Sequence, residues 1–349
     1  MRRIPSHFYL KDGINMKILI LRFSSMGDIL LATPVPDVLK EKYPDAEIDW
    51  VVNAKFSEVL KNNSHVSRII KFSTARELKD IRKEIKVKHY DLIFDLHKNL
   101  RSFYLTVGLK NVFSYDKRTL DRFLLVHFKK KYKKIIPATQ MYFRALNKAW
   151  ISTPEKWNLT YNINEETENR IARKYDLKDK KYIIFVPGAS YRTKMWPVEY
   201  FKRTAAEFLN DSYFNGYRIF IIGRGELEEL AGKKISEEFG DRCVDLTGKL
   251  DLDESAAVLK NSELVVTNDN GPMHLAECFK KKIIAIFGCT TEQLGFFPYS
   301  TDYTVIQNND LKCRPCTHFG RKKCPEDHFK CMKEIKPISV FAKIKEFLK

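Results

Sequence analysis

Short apolar runs alternate with stretches of helical spacing along the first part of the chain. The run KILILR at 17–22 is typical of a buried parallel strand, and apolar positions from Gly27 to about Tyr43 recur at helical spacing. The pattern then predicts strands at 46–52, 66–72 and 91–96, helices near 55–61 and at 75–87, and a helical tendency over 117–150. This order predicts a doubly wound parallel sheet.

A second series of the same kind follows the first. It predicts strands at 182–188, 217–223, 242–246, 263–269 and 282–288, and helices at 164–175, 197–209, 226–239, 252–260, 271–279 and 337–348. The polar stretch 152–165 between the two series predicts a linker.

The two series predict an α/β protein with two Rossmann-like, doubly wound domains facing a cleft. We assign residues 1–15 to an N-terminal extension, 16–160 to a first domain, 161–336 to a second domain and 337–349 to a C-terminal helix. Ligands of such sheets bind beyond the carboxyl ends of the strands. We therefore expect the chemistry to lie in the loops that follow the strands.

The composition is that of a globular protein. The chain has 349 residues, of which 44% are hydrophobic and 30% charged, and this excludes wholesale disorder. No apolar run reaches the ~18 residues of a spanning helix. The basic N-terminus has no apolar core segment, which argues against a secretory signal.

The positive charge is concentrated in the first half. Residues 1–160 hold 31 Lys and Arg against 16 Asp and Glu, a net of +15 out of +18 for the whole chain. Such a field favours polyanionic partners: nucleic acid, an anionic membrane surface or a phosphate-bearing substrate. A solvated, Lys-rich surface is the alternative.

Four of the seven cysteines fall in the C-terminal tail, at Cys313, Cys316, Cys324 and Cys331. With no export signal, the odd total favours a reducing cytoplasm. The spacing C-x2-C-x7-C-x6-C admits a zinc site, but the second half does not repeat the C-x2-C pair. The other two interpretations of these four cysteines are a disulfide and reduced thiols packed in the protein.

Two loops that follow strands carry cations, hydroxyls or a carboxylate. The first, FSSMGD at 23–28, places Ser24 and Ser25 before Gly27, with Asp28 at the start of a helix, where it serves either as a catalytic group or as a helix-terminal acid. The second, PGASYRTKMWP at 187–197, offers Ser190 and Lys194 for a pyrophosphate. Its spacing differs from a Walker A loop.

Two further loops open helices. Gly-Arg-Gly-Glu at 223–226 resembles part of a dinucleotide fingerprint, with Glu226 as a ribose ligand or a helix cap. The sequence NDNGPMH at 268–274 places Asp269, Asn270 and the Gly271 N–H at a helix start and His274 one turn in. The alternative interpretation of the loop at 268–274 is structural: Asp269 caps the helix, and His274 is a hydrogen-bonded core residue.

Several of these motifs resemble the glycosyltransferase family 9 heptosyltransferases. The stretch MKILILRFSSMGDILLATP at 16–34 resembles the start of those chains, and DNGPMH at 269–274 resembles their D-x-G-x-x-H donor motif. The sequence KMWP at 194–197 and the tail cysteines also match, the tail being most similar to the heptosyltransferase II-like branch. The resemblance extends from about Met16 to the C-terminus.

The resemblance implies a GT-B fold and an inverting, metal-independent transfer. The donor would be ADP-L-glycero-D-manno-heptose, the product ADP, and the acceptor the inner core of lipopolysaccharide. Asp28 matches the proposed general base, with Lys194 and His274 in catalytic support. Donor-binding matches are Ser190, Lys194, Asp269, Asn270, Gly271 and His274, with Glu226 for the adenosine ribose.

The residues themselves agree with this chemistry. Transfer with inversion needs a base for the acceptor hydroxyl and stabilisation of the departing diphosphate. No DxD-type acidic pair follows a strand, so cations and helix N-termini would replace a metal, and no cofactor is expected. For the acceptor, an anionic lipid A–Kdo core, we expect Ser24, Ser25, Arg101, Arg118, Arg122 and Lys130.

We further expect a cytoplasmic protein held peripherally at the inner membrane. The segment 118–134 mixes apolar and basic positions and would rest on an anionic leaflet, unless it simply packs on the protein. Three rival functions are a GT-B enzyme for another nucleotide sugar, a basic nucleic-acid-binding protein and a nicotinamide-dependent oxidoreductase. We expect no nucleic acid partner, because no such motif is present, and the glycine fingerprint of the oxidoreductases is incomplete.

Overall fold

The structure is a computed structural model that describes residues 16–178 and 180–349. The predicted N-terminal extension at 1–15 lies outside the described residues. The chain divides into two compact units. The first unit contains the described residues through Lys117 together with Ala138–Tyr161, and the second contains Arg118–Pro137 and Asn162–Lys349.

The first unit holds a five-stranded parallel sheet in the order β3-β2-β1-β4-β5. Its strands are β1 (Lys17–Leu21), β2 (Glu47–Asn53), β3 (Arg68–Phe72), β4 (Leu92–Asp95) and β5 (Val112–Ser114). Its helices are α1 (Met26–Leu30), α2 (Pro34–Lys42), α3 (Leu78–Lys88), α4 (Leu100–Thr106) and, after the second unit's helix α5 (Thr119–Phe128), α6 (Ala138–Lys148). A 3-10 helix spans Ala54–Leu60.

The second unit holds a six-stranded parallel sheet in the order β11-β10-β9-β6-β7-β8. Its strands are β6 (Tyr182–Val186), β7 (Arg218–Ile221), β8 (Cys243–Asp245), β9 (Leu264–Asn268), β10 (Lys282–Phe287) and β11 (Tyr303–Gln307). Its remaining helices are α7 (Glu165–Lys174), α8 (Val198–Asn210), α9 (Glu226–Ser236), α10 (Leu252–Lys260), α11 (Gly271–Cys278), α12 (Lys330–Lys333) and α13 (Pro337–Leu348). Short 3-10 helices lie at Arg192–Lys194, Ser212–Phe214, Gly240–Arg242 and Glu292–Leu294.

Both sheets reverse strand order beside their central strand. In the first unit β1 lies between β2 and β4, and in the second β6 lies between β7 and β9. The central strands are apolar because both of their faces are covered: Ile18–Leu21 and Tyr182–Val186 are buried throughout. A reversal of this kind leaves a crevice at the carboxyl ends of the two strands, which is where ligands of doubly wound sheets bind.

The predicted strands all form, with ends that differ by at most two residues, and the expectation of two doubly wound parallel sheets is confirmed. The helix predicted over 27–43 is wrong in its continuity. It is interrupted at residues 31–33, and α2 begins at Pro34, a residue that fits a first helical turn but lacks the N–H that a helix interior needs. The pattern also missed α4, β5, β11 and α12, which are short.

Residues 118–137 pack with the second unit, although the sequence places them in the first domain. Lys129 donates from Nζ to the carbonyl of Pro315 at 2.8 Å, and the Tyr132 N–H donates to Gln293 Oε1 at 2.8 Å. The main boundary is at Tyr161, next to the predicted position, and α13 packs on α8 and β10 of the second unit. These contacts join chain segments far apart in sequence, which no linear pattern reports.

Candidate active site

At the switch point of the first unit, the loop after β1 meets the loop after β4. Arg22 follows β1 and donates from Nη1 to the carbonyl of Leu96 at 2.5 Å. The Arg22 carbonyl in turn accepts from Trp50 Nε1 at 3.1 Å on β2. These bonds fix Arg22, which is 6% exposed, below the loop that carries Asp28.

Asp28 is held through both of its carboxylate oxygens. Oδ2 accepts from the Ser25 N–H at 2.9 Å and from Ser25 Oγ at 2.8 Å, which is the capping arrangement at the start of α1. Oδ1 lies 2.5 Å from Arg22 Nη2 and accepts a long hydrogen bond from Tyr142 at 3.4 Å. One oxygen of the carboxylate therefore makes the capping contacts with Ser25, and the other faces Arg22 and Tyr142.

The surroundings keep Asp28 ionised. Burial alone would raise the pKa of Asp28, but the Arg22 charge and the hydrogen bonds from Ser25 outweigh it and hold this pKa below its usual value. The side chain of Asp28 retains 20% exposure. The site thus presents a fixed, accessible carboxylate, the form that a proton acceptor requires.

His97 is a neighbour of this site that the sequence reasoning did not select. Its ring lies 4.5 Å from that of Phe23, centroid to centroid, and its buried Nδ1 has no hydrogen-bond partner among the described residues. Burial and the Arg22 charge lower the pKa of His97 to about 3. The ring therefore stays neutral beside the Arg22–Asp28 pair.

At the switch point of the second unit, the loops after β6 and β9 are joined by two asparagines. Asn268 donates from Nδ2 to the Pro187 carbonyl at 2.7 Å and accepts from the Trp196 N–H at 3.0 Å. Asn270 donates to the Gly188 carbonyl at 2.8 Å, and its Oδ1 caps α11 by accepting from the Met273 N–H at 3.0 Å. The sequence-predicted loops at 187–197 and 268–274 therefore meet.

Lys194 and Asp269 form an ion pair where these two loops meet. The distance from Lys194 Nζ to Asp269 Oδ2 is 2.8 Å, and the same oxygen accepts from Thr290 Oγ1 at 2.7 Å. Gly271 begins α11 directly beyond, with its amide in the first turn of the helix. A cation and a helix N-terminus side by side form an arrangement suited to a phosphate group.

His274 is buried on α11 beside Glu277. His274 Nδ1 lies 3.1 Å from Glu277 Oε2, and Glu277 has no exposed surface. Sequence reasoning missed Glu277, although an acid three residues after a histidine on a helix is a spacing at which the two side chains can touch.

The ribose ligand predicted at Glu226 is exposed at the start of α9. Its neighbour Glu228 is half-buried and lies over Gly188, Gly223 and Gly225, so that a Cβ on Gly188 would overlap the Glu228 side chain. Burial raises the pKa of Glu228 above its usual value. Glu228 is therefore a second candidate carboxylate next to these glycines, two residues further along the same helix.

The remaining predicted donor and acceptor residues are more exposed. Ser190 is exposed in the loop after β6, Ser24 is half-buried, and Arg101 is exposed on α4. Lys130 is exposed just after α5 in the second unit. The predicted acceptor residues are thus distributed over both units.

Arg118 and Arg122 are held within the second unit by aromatic rings. Arg118 stacks 3.9 Å from the centroid of the Tyr132 ring and pairs with Asp121 at 2.9 Å, and Arg122 lies 5.5 Å from the Phe296 ring centroid. Among the described residues, Arg122 Nη2 and the Tyr132 hydroxyl are buried without a hydrogen-bond partner. Buried polar atoms without a partner are unusual in a folded protein, which makes this cationic cluster a candidate site for an anionic group.

The tail cysteines are all free thiols. Cys313 lies 3.8 Å from His328 Nε2, and Cys316 donates its backbone N–H to the Cys289 carbonyl at 3.2 Å. Within the described ranges, no three His, Cys, Asp or Glu residues are arranged as metal ligands. The burial of Cys331 raises the pKa of its thiol to about 12, as expected for a packed thiol.

No helix within residues 16–178 and 180–349 combines the length and the apolarity needed to cross a membrane. The exposed apolar side chains of α5 are Leu120, Phe123 and Phe128. The predicted amphipathic segment thus packs on the second unit through part of its surface and leaves another part open.

Comparisons with known proteins give one consistent family. The model of glycosyltransferase family 9 (heptosyltransferase) matches residues 78–329. A lipooligosaccharide heptosyltransferase 2 of Campylobacter jejuni is 28% identical, with 96% of this chain and 99% of that protein aligned.

Two solved structures share the fold. A glycosyl transferase family 9 protein from Veillonella parvula superposes with a TM-score of 0.76 at 23% identity, covering 95% of this chain and 97% of that one. The ADP-heptose LPS heptosyltransferase II of E. coli gives a TM-score of 0.72 at 20% identity, covering 95% and 98%. The expected GT-B architecture is thereby confirmed.

Proposed function

This chain belongs to glycosyltransferase family 9, and on that premise we propose that it transfers heptose from ADP-L-glycero-D-manno-heptose to the inner core of lipopolysaccharide, with inversion and without a metal. It is a glycosyltransferase by family, and the curated relatives that it resembles are heptosyltransferases of lipopolysaccharide or lipooligosaccharide. The donor, the acceptor and the roles of individual residues belong to the proposal.

The observation that carries the proposal is the pair of joined loops in the second unit. Lys194 beside the start of α11 offers a positive site for the diphosphate, and Asp269 fixes the position of the lysine. As the bond to the sugar breaks, negative charge grows on the leaving phosphate, and a preorganised cation with helix N–H groups stabilises it. His274, Asn270 and Ser190 complete the proposed donor site, with Glu226 or Glu228 toward the ribose.

In the first unit, Asp28 is the proposed base. The acceptor hydroxyl loses its proton to a carboxylate oxygen as its own oxygen attacks the anomeric carbon, and attack opposite the leaving ADP inverts that carbon. Arg22 and Ser25 support this role because they fix the carboxylate and keep it ionised. The base contributes ~10²–10⁴-fold to the rate in such reactions.

The acceptor is an anionic, lipid-linked saccharide in this proposal. Its phosphates and acidic sugars suit the basic first half of the chain and the cluster of Arg118, Arg122 and Tyr132. In the part of the chain that the structure describes, Arg122 Nη2 and the Tyr132 hydroxyl have no hydrogen-bond partner. Arg101 and Lys130 supply exposed cations, and Ser24 and Ser25 lie next to the base.

The direct test is the reaction itself. Purified protein is incubated with ADP-heptose and a Kdo–lipid A acceptor, and the product is identified by mass and by the anomeric coupling of the new sugar. We expect one added heptose, inverted, at the same rate in EDTA. A strict requirement for a divalent cation contradicts the metal-independent step. Stabilisation by UDP or GDP instead of ADP in a thermal-shift panel favours another nucleotide sugar.

We also propose that the enzyme works at the inner leaflet through α5 and the lysines that follow it. Leu120, Phe123 and Phe128 are exposed there, and five lysines lie between 129 and 134, a combination that binds anionic lipid surfaces. Lys130→Glu with Lys131→Glu is expected to reduce sedimentation with phosphatidylglycerol vesicles without changing ADP affinity. The same reversals at Lys178 and Lys180 serve as the control, and an equal loss there contradicts a local surface. Stronger binding to duplex DNA than to vesicles favours the nucleic-acid reading.

A further inference from the structure

Glu277 is a buried carboxylate that the proposed mechanism does not use. It has no exposed surface and lies on α11, one turn after His274. Its Oε1 accepts three hydrogen bonds from outside the helix, from the Tyr299 N–H at 2.9 Å, the Ser300 N–H at 2.9 Å and Ser300 Oγ at 3.1 Å. Because Oε1 is occupied by donors, Oε2 is left for His274 Nδ1 at 3.1 Å.

This arrangement requires an ionised Glu277. Burial alone would raise the pKa of Glu277, but the contact with His274 and the N–H groups of Ser300 and Tyr299 outweigh it and hold this pKa below its usual value. A carboxylate accepts hydrogen bonds and donates none. The hydrogen of the contact therefore belongs to Nδ1 of His274 in every protonation state of the ring.

The contact with Glu277 also determines what Nε2, the other ring nitrogen of His274, can do. In a neutral imidazole with its hydrogen on Nδ1, Nε2 carries a lone pair and accepts hydrogen bonds only. Phosphate oxygens also accept, so a neutral His274 presents the wrong atom to a diphosphate. Nε2 becomes a donor only when the ring takes up a second proton. Among the described residues, Nε2 has no hydrogen-bond partner within the protein.

We infer that Glu277 is a positioning residue that makes His274 a proton-dependent ligand of the ADP diphosphate, so that ADP binds together with one proton. The inference rests on the proposed function, because it takes the ligand of His274 to be the diphosphate of the donor or product. The bound imidazolium would add a second cation to Lys194 and donate to a phosphate oxygen. When ADP leaves, the proton leaves with it.

The other charged groups named at the two ends of α11 have partners of their own within the protein. At its N-terminus Lys194 is paired with Asp269 at 2.8 Å. On the far side, Lys280 donates to the Ser300 carbonyl at 2.6 Å, and burial lowers its pKa. Burial raises the pKa of Cys278 and of Tyr303, so both stay neutral at physiological pH.

The substitution Glu277→Gln separates positioning from folding. The Tyr299 and Ser300 donors favour the carbonyl oxygen of the new amide on their side, which turns its NH2 group toward His274. An amide NH2 donates to Nδ1, so the ring hydrogen moves to Nε2. In this variant the neutral ring already offers a donor to phosphate, and ADP binds without an added proton.

The experiment is calorimetry of ADP binding at pH 8 in buffers that differ in ionisation enthalpy. The terminal phosphate of ADP, with a pKa of about 6, carries almost no proton there. The wild-type protein is expected to take up close to one proton per ADP. Its ADP affinity is expected to fall with rising pH wherever this proton is taken up, by up to ~10-fold per pH unit, the limit set by linkage to one proton. Glu277→Gln is expected to show little uptake and a flatter pH profile.

Two variants keep the test decisive. His274→Asn is expected to abolish the uptake, whereas Glu263→Gln, which alters a glutamate bound to Tyr217 before β9, is expected to keep it. ADP binding without proton uptake by the wild type overturns the inference and leaves the proposed function standing. Uptake that persists in Glu277→Gln or His274→Asn also overturns it. Absence of ADP binding rejects both.

Discussion

Each unit has an ion pair of one cation and one carboxylate at its switch point, but the two pairs are built differently. In the first unit Arg22 and Asp28 are six positions apart, and Asp28 is the third residue of the short helix α1, where its side chain accepts from the N-cap residue Ser25. In the second unit Lys194 and Asp269 come from loops after two different strands, which Asn268 and Asn270 join. One pair is local in sequence and the other depends on the assembled sheet.

The difference in construction matches a difference in proposed task. The Asp28 side chain keeps 20% exposure, so a substrate hydroxyl can reach it, whereas the Asp269 side chain is 10% exposed and accepts from both Lys194 and Thr290. In the proposed mechanism the carboxylate is the reacting group in the first pair. In the second pair the cation is the proposed binding group, and the carboxylate fixes its position.

The largest expected effect follows replacement of the reacting carboxylate. Asp28→Asn is expected to lower kcat by about 10²–10⁴-fold, the usual contribution of a general base. ADP affinity, measured by calorimetry, is expected to stay within about twofold, because the side-chain partners of Asp28, which are Arg22, Ser25 and Tyr142, lie in the first unit. The control is Asp80→Asn, because the Asp80 side chain is exposed on the surface of α3. Near-normal turnover in Asp28→Asn removes Asp28 as the base.

A smaller effect is expected from the second pair. Lys194→Ala removes a charge-assisted contact worth about 1.5–3 kcal/mol, or roughly 10–100-fold in kcat/KM for the donor. Lys194→Arg retains the charge and is expected to lose less, and Lys180→Ala, at the surface, is expected to change nothing. If ADP affinity and donor KM are unaltered in Lys194→Ala, the two pairs do not differ in the way described.

The smallest effect is a shift in pH dependence. Arg22 lowers the pKa of Asp28, so its removal in Arg22→Met is expected to raise that pKa. Because a base acts in its ionised form, the acid limb of the kcat profile then moves to higher pH. Arg22→Lys keeps a charge near the carboxylate and is expected to shift the limb less. An unmoved limb in Arg22→Met, with the melting temperature showing a folded protein, contradicts the role of Arg22.

The local features of the molecule were open to prediction from the sequence. Apolar runs predict the buried strands, and the sequence places Asp28 at the start of a helix, as observed. The loops of the proposed donor site are held by contacts between residues that are distant in sequence. Asn268 and Pro187 are 81 positions apart, and Asp269 and Thr290 are 21 positions apart. Such contacts depend on strand order, which no periodicity reports.

Glu277 shows most clearly which contacts the sequence alone does not predict. A buried glutamate is rare, and its presence on α11 is explained only by the donors at Tyr299 and Ser300, which reach it from beyond β10. The sequence shows the His274–Glu277 spacing but not these donors. The metal content of the tail cysteines, the donor sugar and the roles of the selected residues stay predictions.

Because residues 118–137 pack with the second unit, they have a practical consequence for the design of truncated proteins. The backbone leaves the first unit after Lys117, is tied to Pro315 and Gln293 by Lys129 and Tyr132, and returns at Ala138. A recombinant piece starting at Asn162 would lose that covering and bare the Phe296 ring on which Arg122 rests. Neither half of the enzyme is one uninterrupted stretch of polypeptide, so isolating the donor half calls for a circularly permuted or co-expressed design rather than a simple truncation.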